Sequence, residues 1–285
     1  ALAHWRALLQ LNPVDLAAHT SAATLLARLE GRVSAIRFLR DACARHPNQI
    51  PLHNTLLEWL RTETPEEALT VADQLLTADP TNAWILREKA LILCRHNRPA
   101  EALPLAEEAC RIEPSSPSSP GTTGVILAAL GRDREARTAF QAALQLSIES
   151  GFMEDLLRVS GDFEGRKSAV VFLQSELARQ PAPDGGAFIR FRDNARAVLD
   201  PGELLAALEA LLGVHTGQWG ASSALVAHLV DQGDYTAALT RAQSAVERFP
   251  LVARSWLDLA IAQSRAQQTE AEIQSLQRAL ELSPT

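Results

Sequence analysis

Apolar and small residues recur along this chain at helical spacing, in blocks that close on a proline. Pro13, Pro47, Pro80 and Pro114 lie 34, 33 and 34 residues apart, and Pro250 and Pro284 are again 34 apart. From Pro114 to Pro250 the interval is 136, four times 34, so the frame persists through a middle stretch without those prolines. Each closes a similar phrase: LLQLNP, CARHP, LLTADP, CRIEP, VERFP and LELSP. Proline lacks an N–H and disfavours helix in the residue before it, so every phrase reads as a helix end. Upstream of it sits a small residue flanked by apolar ones, at Ala35, Ala68, Ala102, Ala136 and Ala238. A second set, Ala42, Ala109, Ala143, Ala245 and Ala279, falls seven residues after that register. Positions seven apart share a helix face, so these alanines form a shallow seam against which another helix can lie closely.

Between the apolar blocks lie turn phrases: Glu30-Gly31-Arg32, His96-Asn97-Arg98, Gly131-Arg132-Asp133 and Gly233-Asp234-Tyr235. Gly or Asn there suits the left-handed residue that ends a helix. Two helices per period follow, in units near 16–49, 50–82, 83–116, 117–150, 151–184, 185–218, 219–252 and 253–285. Residues 1–15 hold only a second helix. The unit 50–82 is one residue short, in the turn Arg61-Thr62-Glu63-Thr64-Pro65, where Thr64 is the expected N-cap and Pro65 the first helical residue.

The stretch Gly233-Asp234-Tyr235-Thr236-Ala237-Ala238-Leu239, running on through Ala245 to Pro250, resembles the second half of a tetratricopeptide repeat (TPR). Gly131 to Ala143 and Arg98 to Pro114 resemble it nearly as well, and the subfamily is open. The resemblance implies an all-α fold: antiparallel helix pairs, about eight of them, stacked in a right-handed superhelical solenoid with a concave groove. A single domain over 1–285 is expected, with regular repeats over about 1–148 and 219–285 and degenerate ones over about 149–218. In the degenerate part the seam carries larger residues such as Val170, Leu177 and Leu204, and Gln180-Pro181-Ala182-Pro183-Asp184-Gly185-Gly186 is a break. Phe188 and Phe191 beside Arg190 and Arg192 read as core aromatics with snorkelling arginines. Pro114-Ser115-Ser116-Pro117-Ser118-Ser119-Pro120-Gly121 reads as a long ordered turn, with a hinge as its alternative and no helix before about Pro120.

The formal net charge of -7, from 27 basic and 34 acidic residues, argues against a general nucleic-acid binder. Three cysteines without a CxxC suit a reducing compartment, hence a cytoplasmic protein with the periplasm as alternative. No apolar run reaches the ~18 residues of a membrane span. Seven histidines form no HExxH and no ligand spacing with cysteine, and no GxxxxGK[ST], GxGxxG or GxSxG occurs. The expectation is therefore no enzyme, no metal and no cofactor.

The resemblance implies protein or peptide binding, the groove being lined by the first helix of each unit. Residue by residue that gives Thr20, Thr24 and Arg28, then Asn54, Glu58 and Arg61, then Trp84, Arg87, Leu91 and Arg95. Val125, Ala128, Ser223, Ala227 and Val230 follow in later units. Thr20, Thr24, Arg87 and Leu91 stand where the chaperone-tail binders of the family need Lys and Asn, so that activity is not carried over. Four arginines and a tryptophan along the groove suit an acidic or C-terminal carboxylate partner. A scaffold for protein interactions is the leading expectation; a regulatory or substrate-recruiting arm of a larger enzyme is the alternative. Trp5, Leu8 and Leu9 at one end and Leu276, Ala279 and Leu280 at the other lack covering helices, so the chain is expected to be a piece of a longer protein with a neighbouring domain.

Overall fold

In the computed structural model, residues 2–148, 151–181 and 184–283 are described. Among them are seventeen α-helices and no strand. Pro284 and the Ala182-Pro183 part of the expected break lie outside the described residues. A lone helix, α1 (Leu2–Leu11), precedes eight pairs. These are α2 (Leu16–Glu30) with α3 (Arg32–Arg45), α4 (Ile50–Glu63) with α5 (Pro65–Ala78), and α6 (Ala83–Arg95) with α7 (Pro99–Ile112). Then come α8 (Ser118–Ala129) with α9 (Asp133–Leu146), and α10 (Met153–Arg158) with α11 (Phe163–Arg179). The last three pairs are α12 (Gly185–Ala195) with α13 (Pro201–Val214), α14 (Trp219–Asp231) with α15 (Tyr235–Arg248), and α16 (Ala253–Arg265) with α17 (Thr269–Leu282). First helices begin at or within two residues of every boundary the proline frame sets. The frame is thus the architecture.

Two compact units divide the chain, Ala1–Gly131 and Arg132–Thr285. In the first, α2, α4 and α6 form one layer of first helices and α3, α5 and α7 the layer of second helices. Each second helix packs between its own partner and the next first helix. The alanine seam lies in that contact: Ala35, Ala42, Ala68, Ala102 and Ala109 are fully buried. Leu39, Leu57, Leu60, Ile85 and Ile92 fill the spaces between, each also fully buried. Burying one such side chain is worth roughly 1.5–3 kcal/mol, so the layers hold by many equal contributions.

Local signals set the helix ends. Asp15, Asn82, Asp162, Asp200 and Asp234 accept a backbone N–H of the first turn, satisfying donors that otherwise face nothing. Thr64 occupies its expected N-cap position before Pro65, yet its hydroxyl donates to Glu67 at 3.2 Å and caps no N–H. Helix α8 begins at Ser118, two residues before the expected Pro120, because proline needs no N–H in a first turn. The turn before it is ordered, held by backbone bonds from Ser116 to Glu113 and from Ser119 to Ser116.

In the second unit α14–α17 repeat the regular pattern, with Ala238 and Ala242 fully buried under their neighbours. The stretch 151–218 departs from it. Helix α10 has six residues, ending before Gly161, which takes φ +73°. Helix α12 packs mainly against α14 and only lightly against its own partner α13. Two glycines allow this. A Cβ on Gly220 would stand 2.1 Å from the Cα of Gly185, and one on Gly185 would stand 2.2 Å from the Trp219 ring. The larger seam residues Val170, Leu177 and Leu204 are buried. Phe188 and Phe191 are fully buried as expected of core aromatics. Arg192 does not snorkel: it is buried, bonding Asp193 at 2.6 Å, Asp231, and the Ala227 carbonyl at 3.3 Å.

Candidate interaction face

The layer of first helices in unit Ala1–Gly131 gathers the groove residues read from the sequence. Its helices are phased by their N-termini: Asp15 accepts from Ala18 N at 2.8 Å to start α2, and Asn82 accepts from Ile85 N at 3.2 Å to start α6. Pro51 lies in the first turn of α4. Below the layer, carbonyls of the preceding turns are also satisfied. His19 Nε2 meets the Pro13 carbonyl at 3.0 Å, and His53 Nδ1 meets the Gln49 carbonyl at 3.0 Å. Those histidines hold turns together.

On α2, Thr20 and Thr24 turn their hydroxyls back onto the helix, donating to the Leu16 and Thr20 carbonyls at 2.9 Å each. Such side chains offer a ligand methyl groups more than hydroxyls. Arg28, in the last turn of α2, is exposed and makes no ion pair or hydrogen bond among the described residues. On α4, Asn54 is half-buried, and its Oδ1 has no hydrogen-bond partner. Glu58 is exposed one turn later. Arg61, in the last turn, gives Nη1 to Glu88 Oε2 at 3.0 Å, linking α4 to α6.

Helix α6 divides its residues between fold and surface. Trp84 is half-buried and packs on the apolar core. Arg87 is only 9% exposed, giving Nη1 to Glu113 Oε2 at 2.7 Å and to Ser119 Oγ at 3.0 Å. The Ser119 hydroxyl lies 3.4 Å from the Ala109 carbonyl it donates to, so Arg87 anchors the proline-rich turn from inside. Its guanidinium is taken up by the fold. Leu91 is half-buried, and Arg95 at the end of α6 is exposed without an ion pair or hydrogen bond among the described residues.

Three ion pairs between helices were not singled out in the sequence: Arg40–Glu67 at 2.5 Å and Arg61–Glu88 at 3.0 Å join successive repeats, and Arg87–Glu113 at 2.7 Å ties α6 to the end of its own partner α7. The first two each span 27 residues, one repeat less about two helical turns. That arithmetic was available from the period. Glu67 is held below its usual carboxylate range by the hydrogen bond from Arg40.

In unit Arg132–Thr285 none of the corresponding first-helix positions is exposed. Ser223 is buried, Ala227 and Val230 are half-buried, and Asp258 on α16 is 4% exposed with Arg254 Nε at 2.8 Å. Burial pushes the Asp258 carboxyl above its ordinary value, against the pull of Arg254. Val125 and Ala128 on α8 are half-buried. Cysteine chemistry has no support in the surroundings: Cys43 is buried and its thiol is pushed up to about 11 by desolvation. Cys110, half-buried, contacts the Thr123 hydroxyl at 3.3 Å. Among the described residues no three His, Cys, Asp or Glu side chains are grouped to hold a metal ion, and no helix is long and apolar enough to cross a membrane.

A family model described as tetratricopeptide repeat matches residues 60–117 and 224–285. No curated protein sequence matches the chain. Similar solved structures include YrrB, described as a TPR protein with an unusual peptide-binding site. It shows 14% identity and a TM-score of 0.33, over 75% of this chain and 92% of that one. The C-terminal part of a TPR repeat-containing protein from Cytophaga hutchinsonii shows 14% identity and a TM-score of 0.41, over 80% and 95%. The Cut9–Hcn1 hetero-tetramer of APC/C shows 14% and 0.41, over 95% of this chain and 53% of that one.

Proposed function

The chain is a tetratricopeptide-repeat-like helical repeat protein, and from that premise we propose that it is a protein-interaction scaffold. It takes up a protein segment on the first-helix layer of unit Ala1–Gly131. The observation that supports this is the division of labour on α2, α4 and α6. Second-helix positions and Arg87 are spent on packing, whereas Thr20, Arg28, Glu58 and Arg95 stand exposed in one layer. Half-buried Trp84 on α6 adds an apolar surface to the layer. Polar groups of both signs and an aromatic residue in one layer suit a polypeptide ligand, which offers amides, charges and side chains together. We read the function as one of binding, the nearby carboxylates Glu88 and Glu113 each being engaged by an arginine.

A peptide library selected on the full chain, followed by hydrogen-exchange footprinting of the hits, tests this. Protection should fall on α2, α4 and α6. Protection confined to α3, α5 and α7 would place binding on the opposite layer and end the proposal.

A further inference from the structure

Each of the three successive first helices of unit Ala1–Gly131 carries an arginine in its last turn: Arg28 on α2, Arg61 on α4 and Arg95 on α6. A cation there complements the helix dipole, which accounts for one arginine per helix. It does not account for their pairing. Arg32, Arg40, Arg98 and Arg111 in the same unit each hold a carboxylate, at 2.7, 2.5, 2.8 and 2.5 Å. Arg28 and Arg95 hold none among the described residues, and Arg61 is engaged through Nη1 alone.

We infer that this row of helix ends binds an extended acidic peptide segment whose carboxylates recur at every third residue. This rests on the scaffold function proposed above and names its ligand chemistry. Packed helices lie roughly 8–10 Å apart, and α2 packs on α4 while Arg61 ties α4 to α6. A polyproline-II chain advances about 3.1 Å per residue and repeats every three, so side chains three apart leave the same edge about 9 Å apart, one helix spacing. A guanidinium meets a carboxylate through two parallel N–H donors, which suits side chains reaching down from one edge of such a segment lying across the helix ends. Glu58, exposed one turn before Arg61, repels an acidic chain that strays toward the helix starts. Its charge therefore holds the segment on the last turns.

The test uses the full chain and two fluorescent peptides of equal composition, one with glutamate at every third residue and one with the glutamates contiguous. The spaced peptide should bind about tenfold more tightly, and its affinity should fall as salt rises. Arg28→Glu with Arg95→Glu should abolish the preference. Both side chains are exposed and unpaired, so circular dichroism should show the fold unchanged. Arg37→Glu with Arg45→Glu, the same charge change on α3, should leave the preference intact. Equal affinity for the two peptides, equal loss in the α3 variant, or single-stranded RNA competing as well as the spaced peptide would each overturn the inference. Library hits that protect α2, α4 and α6 without carrying acids would leave the scaffold function standing and remove this one.

Discussion

Gly220→Ala is the sharpest probe of how the irregular repeats are held. The added methyl would sit 2.1 Å from the Gly185 Cα, 2.4 Å from its carbonyl oxygen and 2.6 Å from its carbonyl carbon. All three are backbone atoms, so no side chain can swing aside. Reaching an ordinary contact near 3.4 Å requires α12 and α14 to separate by about 1.3 Å at the crossing. A gap of that size forfeits at least about half of each dispersion contact along it, and Phe188, Phe191, Ala221 and Ala224, all 0–1% exposed, line these two helices. Overpacking of this kind costs about 3 kcal/mol, against about 1 kcal/mol gained by replacing glycine in a helix. The net loss should be at least about 2 kcal/mol. Gly213→Ala is the control: its Cβ meets nothing within 4 Å, it lies in α13, and it should stabilise by about 0.5–1 kcal/mol. Urea unfolding of both variants gives the comparison, with the slope checked for constancy. If Gly220→Ala unfolds at the wild-type urea concentration, the glycine crossing is not what positions α12.

That crossing also marks the limit of what the chain discloses in one dimension. The helix pairs were legible because their signals are local and repeated: prolines 33–34 apart on either side of the middle stretch, and alanines seven apart between. First helices at Leu16, Ile50, Ala83, Gly185, Trp219 and Ala253 begin where the frame places them. Gly185 and Gly220 were legible only as residues of low helix propensity, and Gly185 read as part of a break. Their actual use, close approach of two backbones, is a property of the pair and belongs to neither position alone. Arg192 shows the same limit. On its own it reads as a surface cation, and only the fold brings Asp231, 39 residues on, to its buried guanidinium.

For the candidate face, the period located the first helices and their last turns. It did not separate residues available to a ligand from those the fold consumes. Arg87 and Arg95 are two turns apart on α6, yet one is buried against Glu113 and Ser119 while the other is exposed. Deciding between them needs the position of the acid each can reach, which for Arg87 is Glu113 at the end of α7.

Two further substitutions test local features of the second unit. Gln267 takes φ +61° at the turn between α16 and α17, one period after Gly233, which takes φ +78°. A non-glycine residue pays about 1–2 kcal/mol for that conformation, so Gln267→Gly should raise the urea midpoint, part of the gain being returned as backbone entropy of the unfolded chain; an unchanged or lower midpoint would show the turn to be unstrained. Asp258→Asn tests the buried carboxyl on α16. Burial raises its pKa in the fold, so the folded state holds the proton more tightly than the unfolded one. Its contribution to stability is therefore complete below the ordinary aspartate range and is lost as pH rises through the folded value. Asparagine keeps an oxygen for Arg254 Nε but carries no charge to bury. The variant should thus unfold at higher urea than wild type at pH 7, with the advantage shrinking as both are titrated below about pH 4. An advantage that instead grows on acidification would show that the Arg254 ion pair, and not desolvation, governs Asp258.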